Sequence, residues 1–133
     1  MQIQRRKPRT AKVGLFGVGH RTYWDQFAGL KNELMGYMGE LECQLRAREV
    51  EVATFGLVDD AESAWCALKE IRAAGVDLLF CDMLTYAASC TFGLLVRELN
   101  VPIVLVALQP LQAMDYSRAT THMQLAMPIN GPW

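Results

Sequence analysis

The sequence predicts an α/β domain: a three-layer arrangement with a parallel sheet of about four strands and helices on both faces. Three observations lead there. Residues 76–81, apolar but for Asp77, and 103–108 are runs with no in/out alternation, the habit of strands covered on both faces. These and two further strand-like segments alternate with segments of helical spacing, giving βαβαβαβα with connections suited to right-handed crossovers. The run at 76–81 then ends abruptly in Asp82-Met83-Leu84-Thr85-Tyr86, polar groups at a strand's carboxyl end, where open α/β sheets bind ligands. This is the flavodoxin-like (Rossmann-like) pattern, with expected strand order 2-1-3-4.

Taken in order, Lys12 to Val18 reads as the first strand, followed by the loop Gly17-Val18-Gly19-His20-Arg21-Thr22. Residues 23–48 carry Trp24, Phe27, Leu30, Leu34, Met38, Leu41 and Leu45 at helical spacing. Gly29, Gly36 and Gly39 either weaken that helix by about 1 kcal/mol each or allow close backbone packing, and the helix is expected with room for a kink. Residues 49–55 alternate and are rich in β-branched side chains, so they form the second strand, and their charge suggests a sheet edge. Asp59-Asp60-Ala61-Glu62 opens the next helix with an Asp N-cap. Its buried stripe is Ala61, Ala64, Trp65, Leu68 and Ile71, and Gly75 stops it. The third strand is 76–81. A helix over 87–99 turns Phe92, Leu95, Val96 and Leu99 inward, and Asn100 ends it. Pro102 introduces a fourth strand over 103–108. Residues 109–112 are a loop, and Asp115 starts a last helix running to about Met127. A fifth strand is usual in this architecture, and none is evident.

Composition sets the class. The 133 residues are 52% hydrophobic and 20% charged, which is globular rather than disordered. The net charge of −1 gives no bulk case for nucleic acid or a membrane surface, and no apolar run approaches the roughly 20 residues needed to span a bilayer. Residues 1–11, with Arg5, Arg6, Lys7 and Arg9, read as a basic, solvated tail with no signal-type segment after it. Residues 12–127 form a single domain. Residues 128–133 are an irregular end that suggests a truncation. Cys43, Cys66, Cys81 and Cys90 form no C-x-x-C pair, which argues against zinc and for a reducing cytoplasm.

Four loops should meet at the carboxyl edge of the sheet. They bring His20, Arg21, Thr22, Tyr23, Asp59, Asp82, Thr85, Tyr86 and Gln109, a set suited to a polyol or sugar. Familiar alternatives fail on residues. Gly17 to Thr22 lacks the third glycine of a dinucleotide fingerprint, and no acidic residue ends the second strand. There is no Walker sequence, no acidic pair for a phospho-receiver and no serine elbow. His20 either bonds loop backbone or contacts a ligand. Asp82 is either a functional carboxylate or the cap of a turn. Tyr86 packs, and Trp24 and Trp65 face the core.

At these strand ends the sequence resembles the N-terminal domain of the L-arabinose/L-fucose isomerase family. In the arabinose branch the first strand leads into G-S-Q-H-L-Y; here Gly17 to Thr22 keeps the Gly and His and has Gly19 in place of the Gln. The W-M-H-T-F-like end of the third strand is matched by Asp82 to Tyr86 at Met83, Thr85 and Tyr86. The N-K-P-L start of the fourth strand and its H-T-Q-F end are matched by Asn100-Val101-Pro102-Ile103 and Ala107-Leu108-Gln109-Pro110. The resemblance implies the substrate-side domain of an aldose–ketose isomerase, with the sugar at an inter-subunit site of a homo-oligomer. It places Gln109, His20, Tyr86 and Thr85 as the substrate-binding residues. Mn²⁺ and the catalytic groups are implied for later domains of the full-length enzyme, so this chain holds no cofactor, no metal ligand and no catalytic residue, and does not isomerise sugars alone. Gly19 leaves the sugar open. The alternative is a non-catalytic sugar-binding or oligomerisation domain of the same fold. A flavin or nucleotide domain is disfavoured by the missing phosphate cradle.

Overall fold

The computed structural model describes residues 10–109 and 115–126. Residues 1–9 of the basic tail, Pro110 to Gln112 of the fourth edge loop, and the irregular C-terminal end lie outside the described residues.

Four parallel strands, β1 (Lys12–Val18), β2 (Glu51–Val58), β3 (Leu78–Met83) and β4 (Ile103–Val106), form one sheet in the order β2-β1-β3-β4. The expected order and the edge position of β2 are both observed. Alternate side chains along each strand enter different layers, as the pleat requires. Phe16, Val18, Leu79 and Cys81 pack under α3 (Ala61–Ala74) and α4 (Ser89–Glu98). Leu15, Phe80, Leu84 and Val106 pack on the opposite face under α2 (Leu30–Arg46), preceded by the short α1 (Thr22–Gln26). The result is an α/β three-layer architecture of flavodoxin-like type. No helix among the described residues is long and apolar enough to cross a membrane.

Several boundaries differ from expectation, each for a physical reason. The single helix over 23–48 is two helices, because Gly29 takes φ 84° in the left-handed region and resets the chain direction before Leu30. The second strand is 51–58 rather than 49–55. Gly56, at φ 70°, lets it continue through a register shift against β1 between Leu15 and Gly17. The buried stripe of α3 is Ala64, Ala67, Leu68 and Ile71; Ala61 is exposed and Trp65 is half exposed. Residues 64, 67, 68 and 71 keep the i, i+3, i+4, i+7 spacing of one helix face, which leaves Trp65 at its margin. In α4, Leu95 is buried as expected, but Val96 is exposed. The third strand is shifted to 78–83, with Val76 buried just ahead of it. β4 stops at Val106 rather than 108.

The last helix, α5 (Thr121–Ala126), is shorter than expected at its start. Asp115 opens a turn instead, its carboxylate accepting from Ser117 N–H at 3.0 Å. Thr120 Oγ1 accepts from Met123 N–H at 3.2 Å and caps α5.

Candidate functional site at the sheet switch point

β1 is the strand at which the winding reverses: its chain leads outward to β2 on one side, and β3 and β4 lie on the other. The loops after β1 and β3 therefore meet at the topological switch point, the usual ligand position in such sheets. The structure ties them together there. His20 N–H donates to Thr85 Oγ1 at 3.1 Å, and Leu84 N–H and Thr85 N–H donate to Val18 C=O at 3.1 and 3.4 Å. Thr85 is buried, and its hydroxyl donates in turn to Tyr86 C=O at 3.0 Å. These bonds are made by the His20 backbone and the Thr85 hydroxyl; the His20 ring nitrogen Nδ1 meets the Thr22 hydroxyl rather than loop backbone.

The same loop is anchored on the other side. Gly19 N–H donates to Val58 C=O and Arg21 N–H to Asp59 C=O, both on the β2 side. Trp24 Nε1–H donates to Asp59 Oδ2 at 2.7 Å, so Trp24 is not simply core-facing: its ring packs with the α2 cluster while its N–H holds a carboxylate. Asp60 caps α3 in a capping box with Ser63 and also pairs with Arg21. The bonds from Ser63, and then the Arg21 guanidinium, hold the Asp60 carboxyl below its ordinary value; Asp60 in turn raises Arg21. Both aspartates of this loop are therefore committed to structure. The D-x-x-S spacing from Asp60 to Ser63 was a legible signal of that role; the Trp24–Asp59 bond left no trace in the sequence.

What the edge presents outward is aromatic. The His20 ring lies between Tyr23, with centroids 5.1 Å apart, and Tyr86, stacked at 6.0 Å with planes 22° apart. His20 Nδ1 shares a hydrogen bond with Thr22 Oγ1. Tyr86 is half exposed, so its expected packing role is only partly met. It also borders a cavity of about 280 Å³ with Met83, Phe92 and Leu105, an apolar space the sequence did not disclose. The structure thus brings His20, Thr85 and Tyr86 together. Gln109 is exposed three residues beyond the end of β4 and makes no hydrogen bond to this group among the described residues.

Gly19 fits a space with no room for a side chain. A Cβ there would stand 2.8 Å from Trp24 Cζ2 and 3.3 Å from Thr85 Oγ1. Trp24 fills the space that a longer side chain at this position would need.

Asp82 is buried on the α2 side of β3, and its Oδ2 has no hydrogen-bond partner among the described residues. Burial pushes its pKa up from 3.8 to about 6. The neighbouring Cys81 thiol is pushed up to about 12 by burial and then by the Asp82 charge, which leaves it inert as a nucleophile. A divalent metal does not fit the donors at hand. No group of three His, Cys, Asp or Glu comes together among the described residues, and the carboxylates nearest His20 already hold Trp24 and Arg21. The arrangement offers a polar ligand aromatic faces and a ring nitrogen, and no acid and base are paired in it among the described residues.

No protein family matches the chain, and no curated protein matches it either.

Proposed function

We propose that this chain is the substrate-side domain of an aldose–ketose isomerase of the L-arabinose/L-fucose isomerase type, supplying sugar contacts and no catalysis by itself. The observation that carries this reading is the junction of His20, Thr85 and Tyr86 at the switch point. In it, the exposed Tyr86 ring offers an apolar face to the C–H face of a sugar, and the His20 ring offers a nitrogen to a hydroxyl. Thr85, whose hydroxyl is spent on His20 N–H and Tyr86 C=O, positions these two rather than touching sugar. Gln109 closes on the ligand from the β4 side.

Moving a proton between C1 and C2 requires a placed base and a Lewis acid. In this proposal Mn²⁺ and the proton-transferring carboxylates belong to other domains of the assembly, and the sugar sits between subunits of a homo-oligomer. The compartment is the cytoplasm, in keeping with three exposed free cysteines, Cys43, Cys66 and Cys90.

The test is amide NMR of the labelled chain titrated with L-arabinose and L-fucose into the tens of millimolar. Shifts are expected at His20, Thr85 and Tyr86, and should vanish in Tyr86→Ala while the fold is kept. Absence of any shift with either sugar sinks the sugar reading, and metal-dependent turnover by the isolated chain sinks the claim that it lacks catalysis. A second reading, an oligomerisation domain, is favoured by the apolar edge of the sheet at β4.

A further inference from the structure

The two edges of the sheet are built differently. The β2 edge carries the exposed Glu51, which pairs with Lys12, and its strand is broken by a register shift. Charge and bulges are the usual protection of an edge strand against pairing with another chain. The β4 edge has neither. No residue from 99 to 114 is charged, and the register of β3 with β4 is uninterrupted. Leu105 is 53% exposed on the α4 face and Val104 41% exposed on the α2 face. Of seven exposed large hydrophobics among the described residues, five (Tyr86, Val96, Val104, Leu105 and Leu108) lie on β4, just after it, on α4 or on the loop after β3.

Among the described residues the backbone of this edge is open as well. Leu79 N–H donates to Pro102 C=O at 2.9 Å. In a parallel ladder that phase turns the groups of Val104 and Val106 toward β3 and those of Ile103 and Leu105 outward. A strand that is apolar on both faces and unpaired along one side is a central strand lacking a neighbour.

We propose that a second copy of this chain supplies the neighbour: two β4 strands pair antiparallel, edge to edge, about a twofold axis with Leu105 opposite its own counterpart. Charge selects this occupant. An uncharged strand laid against itself opposes no like charges, whereas β2 against β2 would bring the Glu51 side chains of two copies together. Pairing β4 with the β2 edge of another copy is heterologous and would not close, while the self-pairing is isologous and stops at two. Centred on Leu105, it uses every outward backbone group of Ile103 and Leu105 and buries Val104 and Leu105 on both faces of a continuous eight-stranded sheet. The inference stands whether or not the switch point binds sugar.

Sedimentation of the full chain over a concentration series is the test. A species of twice 14.9 kDa is expected, falling to the monomer in Leu105→Lys with unchanged far-UV circular dichroism. Should that variant lose its fold, amide exchange of the native chain decides: protection at Ile103 and Leu105 must rise with protein concentration. A native chain that stays monomeric, an open-ended series of larger species, a folded Leu105→Lys dimer, or edge amides indifferent to concentration would each overturn the proposal.

Discussion

His20 N–H and Thr85 Oγ1 are 3.1 Å apart and 65 positions apart in the chain, and their bond joins the two loops that define the switch point. The hydroxyl is buried, so this is not a bond that water can replace. The loop after β1 is therefore held from below by a side chain of the loop after β3, and the His20 ring is aimed by that contact.

Thr85→Val removes the acceptor while keeping the shape. It should cost about 1–3 kcal/mol, because the His20 N–H is left without its partner. Thr85→Ser should recover most of the loss. Urea unfolding midpoints of the three proteins decide it; a Val variant as stable as the parent would mean the bond contributes nothing.

Gly19→Ala forces a methyl to within 2.8 Å of the Trp24 ring. Overpacking of this kind costs roughly 1–3 kcal/mol. Because Trp24 is the part that must give, the Trp24–Asp59 bond should weaken and the tryptophan fluorescence should change. Pairing Gly19→Ala with Trp24→Phe should reduce the penalty, since a smaller ring leaves room; additive costs in the double-mutant cycle would show that the two residues do not meet.

Asp82 gives the fold a slope with pH. Its carboxyl is raised from 3.8 to about 6 by burial, so the native state holds the proton more tightly than the unfolded chain does. Its contribution is most favourable below pH 3.8, declines as pH rises through about 6, and stays lost above that. A shift of about two pH units corresponds to roughly 3 kcal/mol as an upper figure. Asp82→Asn should flatten this slope and raise stability at pH 7, less the cost of burying its amide. Unfolding midpoints at pH 4.5 and 7 compare the two proteins; an equal slope in both would assign the effect elsewhere.

Asp60→Ala removes the N-cap of α3 together with the Arg21 pair. A cap of this type is worth about 0.5–2 kcal/mol, whereas the Arg21 pair is exposed and adds little. Arg21→Ala alone should therefore be nearly silent in thermal unfolding. A loss in Arg21→Ala equal to that in Asp60→Ala would reverse that assignment.

The layers of the fold were legible because long apolar runs and helical spacing are repeated signals. The order β2-β1-β3-β4 followed from connection handedness and the charge of the second strand. Single-residue conformations were not legible. Gly29 and Gly36 look alike in sequence, yet only Gly29 adopts a positive φ and divides the helix. Trp65 fits the spacing of a buried stripe, but the buried face is centred on Ala64, Ala67, Leu68 and Ile71 and leaves Trp65 half exposed. At the edge, the grouping of His20, Thr85 and Tyr86 was anticipated by residue type and strand-end position. Their mutual geometry was not, because it depends on bonds between loops distant in sequence.

The pairing of His122 on α5 with Glu33 on α2 bears on the order in which the molecule opens. The contact is 2.9 Å long, partly exposed, and spans 89 positions. Helix α5 has six residues, too few to persist without docking. Closing so long a span costs entropy, and among the described residues a partly exposed pair and an aromatic edge contact with Phe27 offset only part of it. The six-residue helix is therefore the unit expected to detach first, with its amides exchanging by local release while those of β1 and β3 wait for global unfolding.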